Sequence, residues 1–312
     1  MTMSVKIEIQ PSRPELRRES FTAVPVSIGD RVDHYRITAL VARTAMATTF
    51  RGTDLRDGRS VAIKIPHLGV ETDRAIREQF RREEAIGGML NHPGVVRVLR
   101  DESRSEFYLV RAWVDGHSLR HILNEEGRMT PARATRICVS ICEALYYVHS
   151  RGVVHRDVKP ENILVDSADQ ITLIDFGIAV EGGAEALAVR KATEAIGTPD
   201  YISPEEVKGI RGNARSDLYA LGIVLYEMLT GRTPFEGCNP LVVMNGRLMD
   251  DPMPVRMLTP YVSRGLEAVI TRALRRDPRR RYASAIEFAR DLERQNPVAR
   301  NPRSNAEALA GV

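Results

Sequence analysis

A chain of 312 residues has room for about two domains or lobes, at roughly 150 residues each. Its composition, 43% hydrophobic and 28% charged, suits a soluble protein able to bury a core, and no window approaches the ~18 consecutive apolar residues of a membrane span. A net charge of only +4, with acidic residues interspersed throughout, argues against a nucleic-acid-binding surface.

Lys6 and Glu8 interrupt the stretch where a secretory signal would need its apolar core, so a cytoplasmic protein is expected. Five of the 45 basic residues are lysines, and the many arginines read as a solvated surface. Cys138 and Cys142 lie four apart in a helical pattern, far from Cys238, which suits reduced thiols better than a metal site.

Residues 1–33 carry three prolines, several charges and no sustained periodicity. They are expected to form a flexible extension, with Phe21–Ile28 lying extended against the domain. Strand patterns follow at Tyr35–Val41, Thr48–Thr53 and Ser60–Ile65, with a turn at Asp57-Gly58, and predict an antiparallel sheet. Arg74–Leu90 has helical periodicity, and Val95–Leu99 and Glu106–Val110 read as two more strands. Beyond Gly116 the chain turns helical. Ser118–Asn124 is a short helix, and Thr130–Ser150 a longer one opened by a capping threonine and a proline. Its stripe of Ile137, Ile141, Ala144, Leu145 and Val148 should face the core. Another apolar helix runs from Ser216 through Leu229, and Gln295–Val312 is expected to be a disordered tail.

The chemistry concentrates in His155-Arg156-Asp157-Val158-Lys159-Pro160-Glu161-Asn162-Ile163-Leu164, followed by a short strand pattern and Asp175-Phe176-Gly177. That spacing suits two carboxylates and an amide converging on one cleft. Asp157 would orient a hydroxyl and accept its proton. Asn162 and Asp175 would supply oxygen ligands to Mg²⁺, a hard cation that completes its octahedron with phosphate oxygens and water.

The two stretches resemble the catalytic loop and metal-binding turn of the protein kinase family, H-R-D-x-x-x-x-N and D-F-G. Val61-Ala62-Ile63-Lys64 resembles the family's V-A-I-K strand. The run Gly197-Thr198-Pro199-Asp200-Tyr201-Ile202-Ser203-Pro204-Glu205 resembles G-T-x-x-Y-x-x-P-E, with Ser203 where alanine is usual. The likeness covers about Tyr35–Leu292 and is strongest to bacterial serine/threonine kinases of the eukaryotic-like type. Lys159, two residues after Asp157, and Thr198 favour serine and threonine over tyrosine as acceptors.

Such a resemblance implies an α+β, two-lobed fold over 34–294. Its small lobe, about 34–112, has an antiparallel sheet and one helix; the mostly helical large lobe spans about 115–294. ATP with Mg²⁺, or Mn²⁺ in its place, would lie between the lobes. By resemblance Lys64 reaches the α- and β-phosphates and is paired by Glu83, with Glu84 and then Glu78 as alternatives. The backbone of Ala112 and Val114 would meet the adenine edge, with Ala62, Leu164, Val41 and Thr49 around its ring. Asp157 orients the acceptor, Lys159 steadies the transferred phosphoryl, and Asn162 and Asp175 hold the metal. Asp217 would secure the catalytic loop, and Arg281 would pair with Glu205. In the activation segment, Ile178–Ile202, a phosphate on Thr193 would neutralise Arg156, and Thr198 would contact Asp157. Protein substrates, and self-association for autophosphorylation, are the expected partnerships.

Two features depart from the family pattern. The nucleotide-covering loop should carry glycines, yet Leu40–Phe50 has none: Ala42, Thr44 and Ala47 stand at those positions. Glycine serves there because backbone N–H groups must approach phosphates without a side chain in the way. Arg111 occupies the gatekeeper position beside the adenine pocket and needs a partner if buried. It is expected to reach Glu83 or Asp175 and compete with Lys64 or metal, with Gly87 and Gly88 leaving it room. The alternative reading is therefore a nucleotide-binding or scaffolding module with little or no turnover.

Overall fold

A computed structural model describes residues 26–44, 46–67, 74–100, 104, 107–176, 180–181 and 199–296. The chain opens with β1 (Arg31–Val32), β2 (Tyr35–Arg43), β3 (Ala47–Asp54) and β4 (Ser60–Pro66), then α1 (Arg74–Met89), β5 (Val98–Leu99) and β6 (Leu109–Ala112). The strands form one antiparallel sheet in the order β1-β2-β3-β4-β6-β5. Alternation assigns its faces. Val61, Ile63 and Ile65 join Tyr35, Ile37, Phe50, Tyr108 and Val110 in a buried cluster, whereas Ala62 and Lys64 point the other way.

The sheet begins upstream of the expected first strand, because Arg31 and Val32 pair with Arg36 and Tyr35. Val26 also packs against the sheet's core. Two other strands are displaced from their expected positions. Of Val95–Leu99 only Val98–Leu99 joins the sheet, since Val95 bridges to Leu173 and the Val96 N–H donates to the Leu173 carbonyl. Of Glu106–Val110, Glu106 lies outside the described residues; the strand runs over Leu109–Ala112, with the Tyr108 side chain turned to Asp33 and Arg111 paired opposite Ala62.

Gly116 carries the chain out of this lobe at φ +128°, where a Cβ would meet the Val165 carbonyl oxygen at 2.4 Å. There follow β7 (His117–Ser118), α2 (Leu119–Glu126), α3 (Pro131–Ser150), β8 (Val153–Val154), β9 (Ile163–Val165), β10 (Ile171–Leu173) and β11 (Val180–Glu181). The remaining helices are α4 (Pro204–Val207), α5 (Ala214–Thr230), α6 (Pro240–Met249), α7 (Val255–Leu258), α8 (Arg264–Ala273) and α9 (Ala285–Gln295). Thr130 caps α3 by accepting from the Arg133 N–H, with Pro131 at the first helical position as the sequence predicts. Helix α5 is buried at every residue from Ser216 to Leu229, and Asn213 and Gly231 terminate it. It packs on α3 and α8, and α3 in turn packs on α9. Each leucine-sized side chain so enclosed contributes about 1.5–3 kcal/mol. This helical core is the rigid base on which the catalytic loop rests.

Candidate active site

The site is built upward from Asp217, which α5 buries in its first turn. Its Oδ2 accepts from the His155 N–H at 2.9 Å and from His149 Nε2 at 2.7 Å; its Oδ1 accepts from the Arg156 N–H at 2.7 Å. Burial alone would raise its pKa, but the His149 hydrogen bond, the positive field of His149 and the Arg156 N–H outweigh it and hold the carboxyl below its ordinary range. These bonds fix Arg156 at φ 65°, a left-handed conformation that costs a non-glycine residue energy. The chain thereby turns sharply into Asp157.

Asp157 Oδ2 accepts from Lys159 Nζ and from Asn162 Nδ2, both at 2.7 Å, and the same amide also donates to the Asp157 carbonyl at 2.9 Å. Pro160–Asn162 forms a short 3₁₀ turn that brings Asn162 back beneath Asp157. Its carbonyl accepts from the Ile174 N–H, and antiparallel pairing of β9 with β10 carries the chain on to Asp175. Asp175 is also left-handed, at φ 65°, and the next residue, Phe176, packs buried against His155 with ring centroids 4.7 Å apart.

From the sheet, Lys64 Nζ reaches Glu83 Oε2 at 2.9 Å and both Asp175 oxygens at 3.2 Å. Burial alone would lower the pKa of this ammonium, yet Asp175 and Glu83 together hold it above its ordinary value. The other glutamates on α1 point elsewhere: Glu84 pairs with Arg104 at 2.6 Å and Glu78 with Arg82 at 3.5 Å. Glu83 is thus the acid that α1 delivers to Lys64.

Arg111 also meets Glu83, through Nη2 on Oε1, the oxygen that Lys64 leaves free. The two cations share one carboxylate, so the expected competition between Arg111 and Lys64 for Glu83 is replaced by joint occupancy. Gly87 and Gly88 do not make room for Arg111. A Cβ on Gly87 would meet the Val98 side chain at 2.1 Å, and one on Gly88 the Arg100 guanidinium at 2.4 Å.

Ala62, Thr49 and Arg111 share the Lys64 face of the sheet, since Thr49 pairs opposite Lys64 and Arg111 opposite Ala62. Ala112, Val114 and Leu164 are partly exposed and Val41 is exposed. The Ala112 N–H donates to the Arg97 carbonyl at 2.8 Å. In the glycine-free loop, Thr44 Oγ1 accepts from the Ala47 N–H at 3.1 Å and the Met46 N–H at 3.4 Å, and donates to the Ala47 carbonyl. The loop's own hydroxyl thus engages two of its amides, those of Met46 and Ala47.

Glu205 and Arg281 form a buried two-pronged pair at 2.8 and 2.7 Å, joined by Ser216 Oγ at 2.6 Å. Arg156 Nη2 donates to the Gly212 carbonyl at 3.1 Å. Gly177, Thr193 and Thr198 lie outside the described residues. One cluster escaped the sequence reading: Arg120 bridges Glu161 at 2.8 Å, Glu227 at 2.6 Å and the Tyr201 hydroxyl at 2.5 Å. It ties α2 and α5 to the catalytic loop, but no spacing in the sequence relates its members.

The chain matches the family model of the protein kinase domain over residues 35–292. A probable serine/threonine-protein kinase PknB of Corynebacterium glutamicum is 37% identical over 286 residues, covering 88% of this chain and 44% of the relative. Serine/threonine-protein kinase PknB of Mycobacterium tuberculosis is 38% identical over 268 residues, covering 84% and 43% respectively. A probable serine/threonine-protein kinase of Streptomyces coelicolor is 35% identical over 274 residues, covering 86% and 40%. The chain spans less than half the length of these relatives.

Proposed function

The chain belongs to the protein kinase family, and from that premise we propose that it is a serine/threonine protein kinase, transferring the γ-phosphoryl of ATP to hydroxyls of protein substrates. The observation that carries this reading is the meeting of Lys64, Glu83 and Asp175 a short way from the bonded group of Asp157, Lys159 and Asn162. Lys64 neutralises phosphate charge. Asp157 receives the acceptor's proton on the oxygen that Lys159 and Asn162 leave open, and Lys159 stands ready to steady the transferred group. Catalysis is then mostly positioning and charge neutralisation.

The donors fit Mg²⁺. Asn162 spends its NH₂ on Asp157, so its amide oxygen is the group left for a cation, beside the partly exposed Asp175 carboxylate. Among the described residues no set of three or more His, Cys, Asp or Glu side chains could hold a metal alone. Two protein oxygens would therefore act with phosphate oxygens and water, which is how Mg²⁺ is usually bound. The bound cation would draw negative charge from the phosphates, and Mn²⁺ would serve the same donors. No helix among the described residues is long and apolar enough to cross a membrane. ATP dependence supports a cytoplasmic setting. Phosphoamino-acid analysis of labelled products tests the acceptor class: label on serine and threonine is expected, and label confined to tyrosine would overturn it.

Regulation by the activation segment belongs to the same reading. A phosphate on Thr193 would add charge-assisted bonds to Arg156 and order the segment, with Thr198 kept as a contact to Asp157. Self-association would let one copy modify another. Phosphopeptide mapping after incubation with ATP–Mg²⁺ should find Thr193 modified; fully active protein unmodified across Val180–Ile196 would defeat the assignment.

The Thr44 turn is the observation favouring a slow enzyme or a nucleotide-binding module. Each lost backbone–phosphate contact, at ~1.5–3 kcal/mol for a bond to a charged group, slows transfer about 10- to 100-fold. Replacing Ala42, Thr44 and Ala47 together by glycine should therefore raise kcat/KM for ATP by at least about tenfold. Steady-state kinetics with varied ATP measure this, and an unchanged value would remove the loop from the account.

A further inference from the structure

Arg120 of α2 uses all three guanidinium nitrogens beside the acceptor site. Its Nε donates to Glu161 Oε1 at 2.8 Å, its Nη1 to Glu227 Oε1 at 2.6 Å and its Nη2 to the Tyr201 hydroxyl at 2.5 Å. That hydroxyl donates in turn to Glu227 Oε2 at 2.5 Å, so Arg120 and Tyr201 between them engage both oxygens of a buried carboxylate. Burial, together with the charge of Glu227 and the hydrogen bond to it, holds the Tyr201 pKa far above its ordinary value, and the hydroxyl stays neutral. Without Arg120 the niche would hold two carboxylates and a neutral hydroxyl. Asp200, one residue before Tyr201, adds another acid nearby: burial raises its pKa, Arg247 and Arg120 lower it, and Glu227 raises it again.

The niche borders the reaction. Glu161 stands in the 3₁₀ turn between Lys159 and Asn162, both of which bond Asp157, and its side chain is 45% exposed. An extended polypeptide that offers its hydroxyl to Asp157 carries its other residues at ~3.3 Å intervals, so those within two or three positions of the acceptor come within reach of this rim. Two carboxylates at hydrogen-bond distance from one guanidinium would recognise an arginine of the substrate through charge-assisted bonds. Here the chain supplies that guanidinium itself. We propose that Arg120 is a specificity-determining residue: it fills the acid-lined niche beside the acceptor site and denies it to basic residues of the substrate. The chain then selects acceptor segments without calling for a flanking arginine or lysine. The substrate half of the proposal rests on the kinase reading; the niche itself does not.

The test compares transfer to a neutral peptide with one threonine against transfer to the same peptide carrying arginine at each flanking position in turn. In the parent, arginine should change kcat/KM by less than about fivefold at every position, the size of an exposed ion pair. In Arg120→Ala, arginine at one or more positions should gain at least about tenfold over the parent's ratio, and Glu161→Gln added to that variant should remove most of the gain. A part confined to holding the fold would lower transfer to all the peptides together and leave the ratio where it was; that result would overturn the proposal. So would a parent that already favours arginine as strongly as the variant. Should Arg120→Ala not fold, Arg120→Lys decides. Lysine keeps the charge but lacks the three-way fork, so the advantage of arginine should exceed the parent's by at least about threefold, and an unchanged ratio would sink the idea. A parent that labels no peptide fails the kinase reading, and argininamide then judges the niche by itself. It should raise the melting temperature of Arg120→Ala and not that of the parent; no difference between the two would overturn the proposal.

Discussion

Asp157→Asn is expected to lower kcat by about 10²- to 10⁴-fold while leaving ATP affinity within about threefold of the parent. The size follows from how the carboxylate is held. Lys159 Nζ and Asn162 Nδ2 both donate to Oδ2 at 2.7 Å. An asparagine at this position must offer its single amide oxygen to those two donors. Its NH₂ then lies where the second carboxylate oxygen was, and the acceptor hydroxyl meets a donor in place of a base. The side-chain shape is kept and Lys64 and Asp175 are untouched, so nucleotide should bind as before. Rates at saturating ATP, set beside a nucleotide titration of both proteins, separate the two effects. A fall in kcat of less than tenfold would take Asp157 out of the proton-accepting role.

Arg281→Met should cost about 3–5 kcal/mol of folding stability, the penalty for removing one partner of a buried ion pair. The lost guanidinium also donates to the carbonyls of Arg275, Arg215 and Arg276, which join the start of α5 to the turn after α8. At about 2–4 °C per kcal/mol for a domain of this order, melting should drop by roughly 6–20 °C. Glu205→Met with Arg281→Met should lose less than Arg281→Met alone, because no carboxylate is then left buried and unpaired. The pH dependence has a definite sign. Burial would raise the Glu205 pKa, but the Arg281 hydrogen bonds and charge outweigh it and hold it below the ordinary 4.5. A depressed carboxylate contributes stability that is present above its unfolded pKa and lost as pH falls through the folded one. The gap between the parent and Arg281→Met should therefore narrow below about pH 4.5. Thermal melts across that range check it, and a gap that widens in acid would refute the pairing as its source.

What could be read from the sequence is what short runs of chain determine. The turn from Arg156 to Asn162 places Asp157 and Asn162 by local geometry, so their spacing was sufficient, while Lys159 was read from the family resemblance. The roles of Lys64, Ala62 and Asp217 came from the family resemblance, and strand alternation in β4 and the first turn of α5 place them. The Glu205–Arg281 pair is distant in sequence, yet each partner sits in a motif whose position in the fold is known once the family resemblance is granted. Contacts chosen by packing between separate elements were less legible. That Arg111 and Lys64 divide the two oxygens of Glu83 depends on the register of β6 against β4, which no periodicity records. Gly87 and Gly88 looked like space for Arg111 but serve Val98 and Arg100, because helix phase decides which neighbour a glycine admits. The Arg120 cluster joins residues from α2, the catalytic loop, the stretch at Tyr201 and α5, and no short run of chain relates them. The Thr44 turn was not legible either. The missing glycines suggested crowding of phosphate; the structure adds that the Met46 and Ala47 amides are bonded to the Thr44 hydroxyl.

The central claim is that this site transfers phosphate and does not merely hold nucleotide. Purified chain should be incubated with γ-labelled ATP, Mg²⁺ and a generic basic protein, with Asp157→Asn run alongside and nucleotide binding confirmed for both. Acid-stable label on serine and threonine, accumulating with time only in the parent, is the expected result. Equal nucleotide binding by the two proteins, with no label in the parent above the Asp157→Asn level, would contradict it.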